Sequence, residues 1–154
     1  MKLSALEEYG LRCLLRMARA GRRSSVTIPE ISESEGLSQA NTAKLLRLLR
    51  LAGLAESVRG KDGGYRLARP ADQISVREAL EVLGGRFFSP EFCESHSGVE
   101  RQCVHSADCS IRPLLRAMQN ALDRVLGSTT LEDLLCQERN ATVQIQSHIS
   151  ARRG

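Results

Sequence analysis

The apolar residues in the N-terminal third of the chain recur at helical spacing and are separated by turn residues. Leucines at three- and four-residue steps, with charged residues between them, predict an amphipathic helix over residues 1–20. Thr27 and Glu30 form a capping-box pattern that predicts the start of a second helix. Ser38 predicts the start of a longer, leucine-rich helix that Gly53 ends. Two helices joined by a tight turn, the second of them longer, are typical of a helix-turn-helix.

Two short apolar runs follow this motif and flank a glycine-rich, basic stretch. The runs cover residues 54–58 and 65–67, and Gly60, Gly63 and Gly64 lie between them. Short apolar runs around a glycine-rich tip predict a β-hairpin. A hairpin directly after a helix-turn-helix is a wing, so the order of elements predicts a winged helix-turn-helix.

The C-terminal half contains three further helical patterns. Residues 74–83 form one, and residues 111–126, ended by Gly127, form a longer one of about four turns with a single apolar face. Thr129 and Glu132 form a second capping-box pattern, which predicts a short closing helix. The predicted fold class is therefore mainly α with a small β-hairpin wing.

Composition along the chain divides it into four parts. We predict a winged helix-turn-helix domain over residues 1–84 and a cysteine-rich segment over residues 85–110. The long helix and the closing helix fill residues 111–136. Residues 137–154 have few apolar side chains and no periodicity, so we expect a mobile tail there.

Positive charge is concentrated in the predicted helix-turn-helix and wing. The 154-residue chain has a formal net charge of +4. Residues 44–69 contain seven Lys or Arg residues but only two acidic ones, so the rest of the chain is close to neutral. A concentrated basic patch is the electrostatic footprint of a polyanion partner.

The start of the second helix of such a motif enters the DNA major groove, which is about 12 Å wide. Gln and Asn side chains bind adenine edges there, while Lys and Arg neutralise phosphates or enter a narrow minor groove. We therefore predict double-stranded promoter DNA as the partner. The predicted contacts are Ser38, Gln39, Asn41, Thr42 and Lys44 on the helix and Arg59 and Lys61 on the wing.

Three of the five cysteines lie in the polar segment between the last two long helical patterns. They are Cys93, Cys103 and Cys109, with nine and five residues between them. A segment with so few apolar side chains does not hold itself together by packing, so we expect a metal ion, an iron–sulfur cluster or a disulfide. The sequence has no secretory signal, which predicts a cytoplasmic protein, and structural disulfides are rare in the cytosol.

The remaining candidate side chains have simpler interpretations. Cys13 lies among the leucines of the first helix and is expected to be buried, and Cys136 at a helix end is expected to have no role. His96 and His105 are candidate additional metal ligands. No pairing of a nucleophile with a base is evident, so neither an enzyme nor a small-molecule substrate is expected. No apolar run reaches the length of a membrane span.

At this point the chain resembles the Rrf family of winged-helix transcription regulators, which includes iron–sulfur cluster sensors. The resemblance covers residues 1–135. It depends on the Leu-Ala-Gly-Leu turn at 51–54, the wing at 57–67, the three-cysteine segment and the closing helix at 130–134.

This resemblance implies a homodimer, paired through the helix at residues 111–126, that binds palindromic promoter DNA. It also implies an iron–sulfur cluster held by Cys93, Cys103 and Cys109, and a minor-groove contact by Arg59. The implied function is transcription regulation in which the cluster's redox, nitric oxide or iron status controls operator affinity.

The fourth cluster ligand varies within the family. In some members the fourth ligand is a histidine three residues after the last cysteine, and the same position in this chain is Arg112. Where it is an acidic residue of the partner subunit's first helix, this chain has Glu8, whose other interpretation is a surface ion pair with Arg12. Both [4Fe-4S] and [2Fe-2S] clusters fit this pattern, and the missing histidine favours [4Fe-4S].

Other interpretations remain open at this point. One is a regulator of the same fold in which the cysteines bind zinc or switch between thiol and disulfide. Another is a cluster-delivery or interaction protein that does not bind DNA.

Overall fold

The computed structural model describes residues 3–61, 63–89, 91–95, 103, 105 and 107–136. Within these residues the protein consists of α-helices and one two-stranded antiparallel hairpin, which confirms the predicted fold class. The elements, in chain order, are α1 (Ala5–Ala20), α2 (Ile28–Glu35), α3 (Gln39–Leu51), β1 (Ala55–Val58), β2 (Gly64–Leu67), a 3-10 turn (Ala71–Gln73), α4 (Val76–Leu83), α5 (Glu91–Ser95), α6 (Arg112–Ser128) and α7 (Leu131–Leu135).

Side-chain caps determine where the first helices begin. Helix α1 starts at Ala5, later than predicted, because the Ser4 hydroxyl accepts a hydrogen bond from the Glu7 amide (3.2 Å). The Glu7 carboxylate in turn accepts one from the Ser4 amide (2.7 Å). The predicted capping box of Thr27 and Glu30 is confirmed at the start of α2.

The end of α3 directs the chain into the hairpin. Gly53 adopts a left-handed conformation (φ 72°), and its amide donates to the Arg50 carbonyl (3.1 Å). The Leu54 amide donates to the Leu49 carbonyl (2.9 Å), and both leucines are fully buried. This pattern of two bonds is a Schellman motif, so Gly53 ends the helix as predicted and Leu54 leads into β1.

One hydrophobic core lies between α1, α3, α4, α7 and the hairpin. Leu45, Leu46 and Leu49 of α3 are fully buried against it, as are Leu14 of α1 and Leu131 of α7. Because these apolar side chains hold one face of α3, its polar and basic side chains remain on the opposite, solvent-facing side. The core thereby fixes the orientation of the predicted recognition helix.

The junction between α6 and α7 differs from the prediction. Helix α6 continues through Gly127 to Ser128. The N-cap of α7 is Thr130, whose capping-box partner is Asp133, so the box predicted for Thr129 and Glu132 is wrong by one residue. The reason is that the Thr129 hydroxyl donates back to a carbonyl of α6, at Val125 (2.8 Å).

Backbone bonds dock α7 against the start of α4. The Val76 amide donates to the Thr129 carbonyl (2.8 Å), and the Leu131 amide donates to the Ile74 carbonyl (2.9 Å). Ile74 is therefore extended rather than helical, and α4 begins one residue after its cap, Ser75. The predicted helix at residues 74–83 is thus confirmed with a later start.

Residues 85–110 contain a short helix, α5, that the sequence pattern did not predict. His96 and the predicted tail, residues 137–154, lie outside the described residues. Within the described part of the chain, no helix has both the length and the apolar character needed to cross a membrane.

Candidate DNA-binding surface and cysteine segment

The start of α3 presents polar side chains on the surface. The Ser38 hydroxyl caps the helix by accepting a hydrogen bond from the Asn41 amide (3.2 Å). Gln39 and Lys44 are exposed and Asn41 is half-buried. These four residues therefore have the exposure that contacts with base edges and phosphates require, and their role as DNA contacts stays a prediction.

Thr42 is a correction to the predicted set. Its side chain is fully buried, and its hydroxyl donates to the Ser38 carbonyl (3.0 Å). A side chain in this position does not reach a base edge. Thr42 instead supports the first turn of α3, which places the neighbouring polar residues.

The wing ends in a tight turn that carries two exposed basic side chains, Arg59 and Lys61. The Gly63 amide donates to the Gly60 carbonyl (3.0 Å), and Gly60 adopts a positive φ of 105°. A Cβ at Gly63 would lie only 2.8 Å from the Gly60 carbonyl oxygen, so the turn requires glycine at that position. The tip is therefore narrow as well as basic.

All five cysteines lie within the described residues, and all five are free thiols. Cys93, Cys103 and Cys109 are partly buried. The sulfur of Cys109 accepts a hydrogen bond from the Arg112 amide (3.3 Å) at the first residue of α6.

Two clefts beside α6 bring two of these thiols to the same helix face. Cys93 lines a cleft of about 640 Å³, and Cys109 lines a second cleft of about 560 Å³. Both clefts share Arg112, Arg116 and Asn120, which follow one another at four-residue steps on α6. The two thiols therefore flank a single basic strip of the helix.

The three thiols of the cysteine segment are not gathered into a metal site in this structure. Among the described residues, no three His, Cys, Asp or Glu side chains lie close enough to hold a metal ion. Three partly buried thiols are a soft donor set that fits an iron–sulfur cluster or zinc chemically. Binding either one requires Cys93, Cys103 and Cys109 to come closer together than they are in this structure.

Glu8 and His105, two of the candidate fourth ligands, lie on the surface. Glu8 accepts a hydrogen bond from Arg12 in an ion pair of 2.6 Å, and this hydrogen bond raises the pKa of the Arg12 guanidinium. The two side chains remain about half exposed (47% and 50%), so the carboxylate is accessible to another subunit. His105 is exposed, with Nδ1 3.6 Å from the Asp108 carboxylate.

The two cysteines outside the segment have contrasting environments. Cys13 is fully buried, and burial raises the pKa of its thiol to about 12. This confirms that Cys13 belongs to the core. Cys136 is exposed at the end of α7.

A polar network anchors the cysteine segment on α6. The buried Gln119 side chain accepts a hydrogen bond from the Phe88 amide (2.8 Å) through Oε1 and donates to Asp123 (2.8 Å) through Nε2. Asp123 also accepts a hydrogen bond from Arg86. The Phe88 ring contacts the ring of Phe92, at a centroid distance of 5.5 Å, next to Cys93.

The sequence analysis does not predict this polar network, although one feature of the sequence indicates it. Gln119 occupies a polar position within the apolar stripe formed by Leu115, Leu122 and Leu126. A polar side chain in such a stripe is expected to find a buried hydrogen-bond partner. The identity of that partner depends on a contact 31 residues away in the chain.

Comparisons with known proteins agree with this architecture. Residues 3–137 match the family described as "Rrf2: Iron-dependent Transcriptional regulator". "Protein aau3" of Rhizobium meliloti is 36% identical over 135 residues, which cover 88% of this chain and 85% of that protein. The "HTH-type transcriptional regulator CymR" of Bacillus subtilis is 31% identical over 134 residues, covering 87% and 89% of the two chains.

Solved structures show the same likeness. The structure of CymR, titled "the Global Cysteine Regulator of B. subtilis", superposes with a TM-score of 0.71 at 29% identity and covers 87% of this chain and 95% of CymR. The structure titled "T. potens IscR" gives a TM-score of 0.69 at 29% identity, covering 88% and 86%. CymR and the "Putative HTH-type transcriptional regulator NMA1593" of Neisseria meningitidis are named as transcriptional regulators. This chain belongs to the Rrf2 family of winged-helix, DNA-binding transcriptional regulators.

Proposed function

We propose that the protein is a homodimeric regulator whose affinity for promoter DNA is controlled by an iron–sulfur cluster bound by Cys93, Cys103 and Cys109. The observation that carries the proposal is the presence of three free, partly buried thiols in one segment that is anchored on α6. The iron-dependence in the family description supports the same chemistry.

We propose one role for each of three consecutive parts of the chain. Residues 1–84 bind DNA, residues 85–110 bind the cluster, and residues 111–136 join the two subunits. The proposed DNA contacts are Ser38, Gln39, Asn41, Lys44, Arg59 and Lys61. We propose that the protein is cytoplasmic. Structural disulfides are rare in the cytosol, so the three thiols remain available to bind a cluster.

An exposed apolar stripe on α6 supports dimerisation. Ile111, the N-cap of α6, is 61% exposed, and Leu114 and Met118 within α6 are 60% and 38% exposed, which is unusual for large apolar side chains that lie so close together. Together with Ala121 and Val125 they alternate at three- and four-residue steps, the pattern of a coiled-coil seam. A second copy of the same helix presents the same seam, so a symmetric pair covers both.

Glu8 of the partner subunit is the proposed fourth ligand, with His105 and His96 as alternatives. The carboxylate of Glu8 lies on the surface of α1, in an ion pair worth little in water. A carboxylate ligand is compatible with [4Fe-4S] or [2Fe-2S], with a preference for [4Fe-4S]. When bound, the cluster would link the three thiols to the partner subunit through bonds that depend on its redox state.

Close contacts between α1 and α4 connect the cysteine segment to the DNA-binding domain. A Cβ at Gly10 of α1 would collide with Leu83 at the end of α4, and one at Gly84 would collide with Glu7. Helices α1 and α4 therefore meet closely where the cysteine segment begins. A shift of this segment changes how α6 sits on α4, and hence the spacing of the two recognition helices, which must fit half-sites about 34 Å apart.

The test is the affinity of the protein for an operator duplex, measured by fluorescence anisotropy without oxygen. The operator is selected from a random library with anaerobically purified protein. We expect removal of the cluster, or Cys103→Ser, to change the dissociation constant at least ten-fold, and Cys136→Ser to leave it unchanged. Equal affinities in all states would contradict control by a cluster.

A thiol switch without a cluster is the second candidate. It is favoured by the two free thiols, Cys93 and Cys109, that line neighbouring clefts on one face of α6. Anaerobically purified protein separates the two candidates. A cluster protein absorbs visible light, whereas a thiol or zinc protein is colourless.

A further inference from the structure

The turn between α1 and α2 carries two adjacent arginines that lie outside the helix-turn-helix and the wing. Arg22 and Arg23 are both exposed. Neither forms an ion pair with any residue in the described part of the chain. Two adjacent, unpaired guanidinium groups on a surface turn are suited to an anionic partner.

Hydrogen bonds fix this turn against the wing. The Val26 amide donates to the Tyr65 carbonyl (2.9 Å), and the Tyr65 amide donates to the Val26 carbonyl (2.8 Å), so Val26 extends the wing by one bridge. The Arg66 guanidinium donates to the Arg22 carbonyl (3.5 Å). The two arginines are therefore held beside β2 although they precede it by more than forty residues.

The turn and the wing share one surface. Arg23 lines a cleft of about 500 Å³ together with Lys61 of the wing tip and Arg66 of β2. Arg22 and Arg23 line a neighbouring cleft of about 360 Å³ with Arg66. We name Arg22, Arg23 and Lys61 the turn patch.

The acidic residues of these clefts are already engaged. The Glu56 carboxylate accepts a hydrogen bond from Arg66 in an ion pair of 2.6 Å. The Glu30 carboxylate accepts hydrogen bonds from the amide and the hydroxyl of Thr27 (2.7 Å each), which lower its pKa. The turn patch therefore keeps its positive charge without a paired carboxylate.

We propose that the turn patch binds backbone phosphates of DNA that flank the half-site contacted by α3 and the wing tip. The proposal rests on DNA binding by the winged helix-turn-helix. Arg22 and Arg23 suit phosphate oxygens because a guanidinium donates two parallel hydrogen bonds. Since Lys61 belongs to both the wing tip and the turn patch, the flanking phosphates are those next to the minor groove that the wing enters.

Salt dependence of binding tests this proposal. Each phosphate contact adds about 0.9 to the magnitude of the slope of log K against log salt concentration. We expect the double variant Arg22→Ala/Arg23→Ala to lower that magnitude by about 1 to 2 on the selected operator duplex. Arg22→Lys/Arg23→Lys should retain most of the slope because the charge is kept. The control is Arg77→Ala. Arg77 is exposed and lies beside Gly127, outside the turn patch, so its removal should leave the slope unchanged.

The length of the duplex provides a second readout. As base pairs are removed from both ends of the operator, the wild-type slope should fall to that of the double alanine variant once the flanking phosphates are gone. The opposite outcome is that the wild type and the double alanine variant have equal slopes on the long duplex and equal melting temperatures. That result would contradict phosphate binding by the turn patch and would leave the proposed DNA binding by α3 standing. Failure of the wild type to select any DNA sequence would overturn both.

Discussion

At the scale of single residues, the surroundings of each sulfur determine its chemistry. Cys13 is packed in the core with its thiol pKa raised to about 12, so its reactive thiolate form is scarce near neutral pH. Cys136 has the same side chain on an exposed helix end. Their reactivities should differ although both lie outside the cysteine segment.

Alkylation of the folded protein tests this difference. With iodoacetamide at pH 8, we expect Cys136 to be modified fully while Cys13 remains unmodified, as measured by peptide mass spectrometry. In urea above the unfolding transition both should react at similar rates, because burial no longer protects Cys13. Rapid modification of Cys13 in the folded state would show that the core around α1 is open.

At the scale of elements, helix ends depend on the conformation of individual glycines. Gly53 ends α3 with a positive φ, which costs other residues about 1–2 kcal/mol. Gly127 lies inside α6, and the nearest atom to a Cβ there, on Arg77, would be 3.6 Å away. The same substitution should therefore have opposite effects at these two positions.

Urea unfolding measures both effects. We expect Gly53→Ala to lower the free energy of unfolding by about 1–2 kcal/mol, and Gly127→Ala to raise it by about 0.5–1 kcal/mol. Destabilisation by both variants would indicate that the C-terminal turn of α6 is not helical in solution.

How far the sequence predicts these elements depends on the range of the contacts involved. The caps at Thr27 and Ser38 join a side chain to an amide three residues away, so local sequence suffices to find them. Gln119 bonds Phe88 across 31 residues. The placement of Arg22 beside the wing likewise depends on a long-range backbone bridge, and no local pattern indicates either contact.

Thr42 shows the same limit inside one helix. It lies among the predicted DNA contacts by its position at the start of α3, but the packing of the core decides that this side of the first turn faces inward. The composition of the cysteine segment is enough to predict it as a candidate site. Composition does not predict its anchoring on α6, because that depends on tertiary hydrogen bonds.

At the scale of the whole molecule, the proposed dimer depends on the exposed stripe of α6. Leu114 is 60% exposed within this stripe, whereas Asn120 lies on another face of the helix, at the clefts beside the cysteine segment. A charge introduced into the stripe would be buried without a partner in the dimer. The same charge at residue 120 would stay in solvent.

Sedimentation of two variants tests the dimer. We expect Leu114→Glu to weaken dimerisation at least ten-fold and to weaken operator binding with it, while Asn120→Glu remains dimeric. A Leu114→Glu protein that is still dimeric at micromolar concentration would place the interface elsewhere.

We propose that the three thiols of the cysteine segment hold an iron–sulfur cluster within a dimer. Native mass spectrometry of the anaerobically purified protein tests it most directly, with visible absorption recorded on the same sample. We predict a dimer that carries one cluster per subunit, and the loss of both cluster mass and absorption in Cys103→Ser. A colourless dimer that carries zinc, a disulfide or no added mass would contradict the claim.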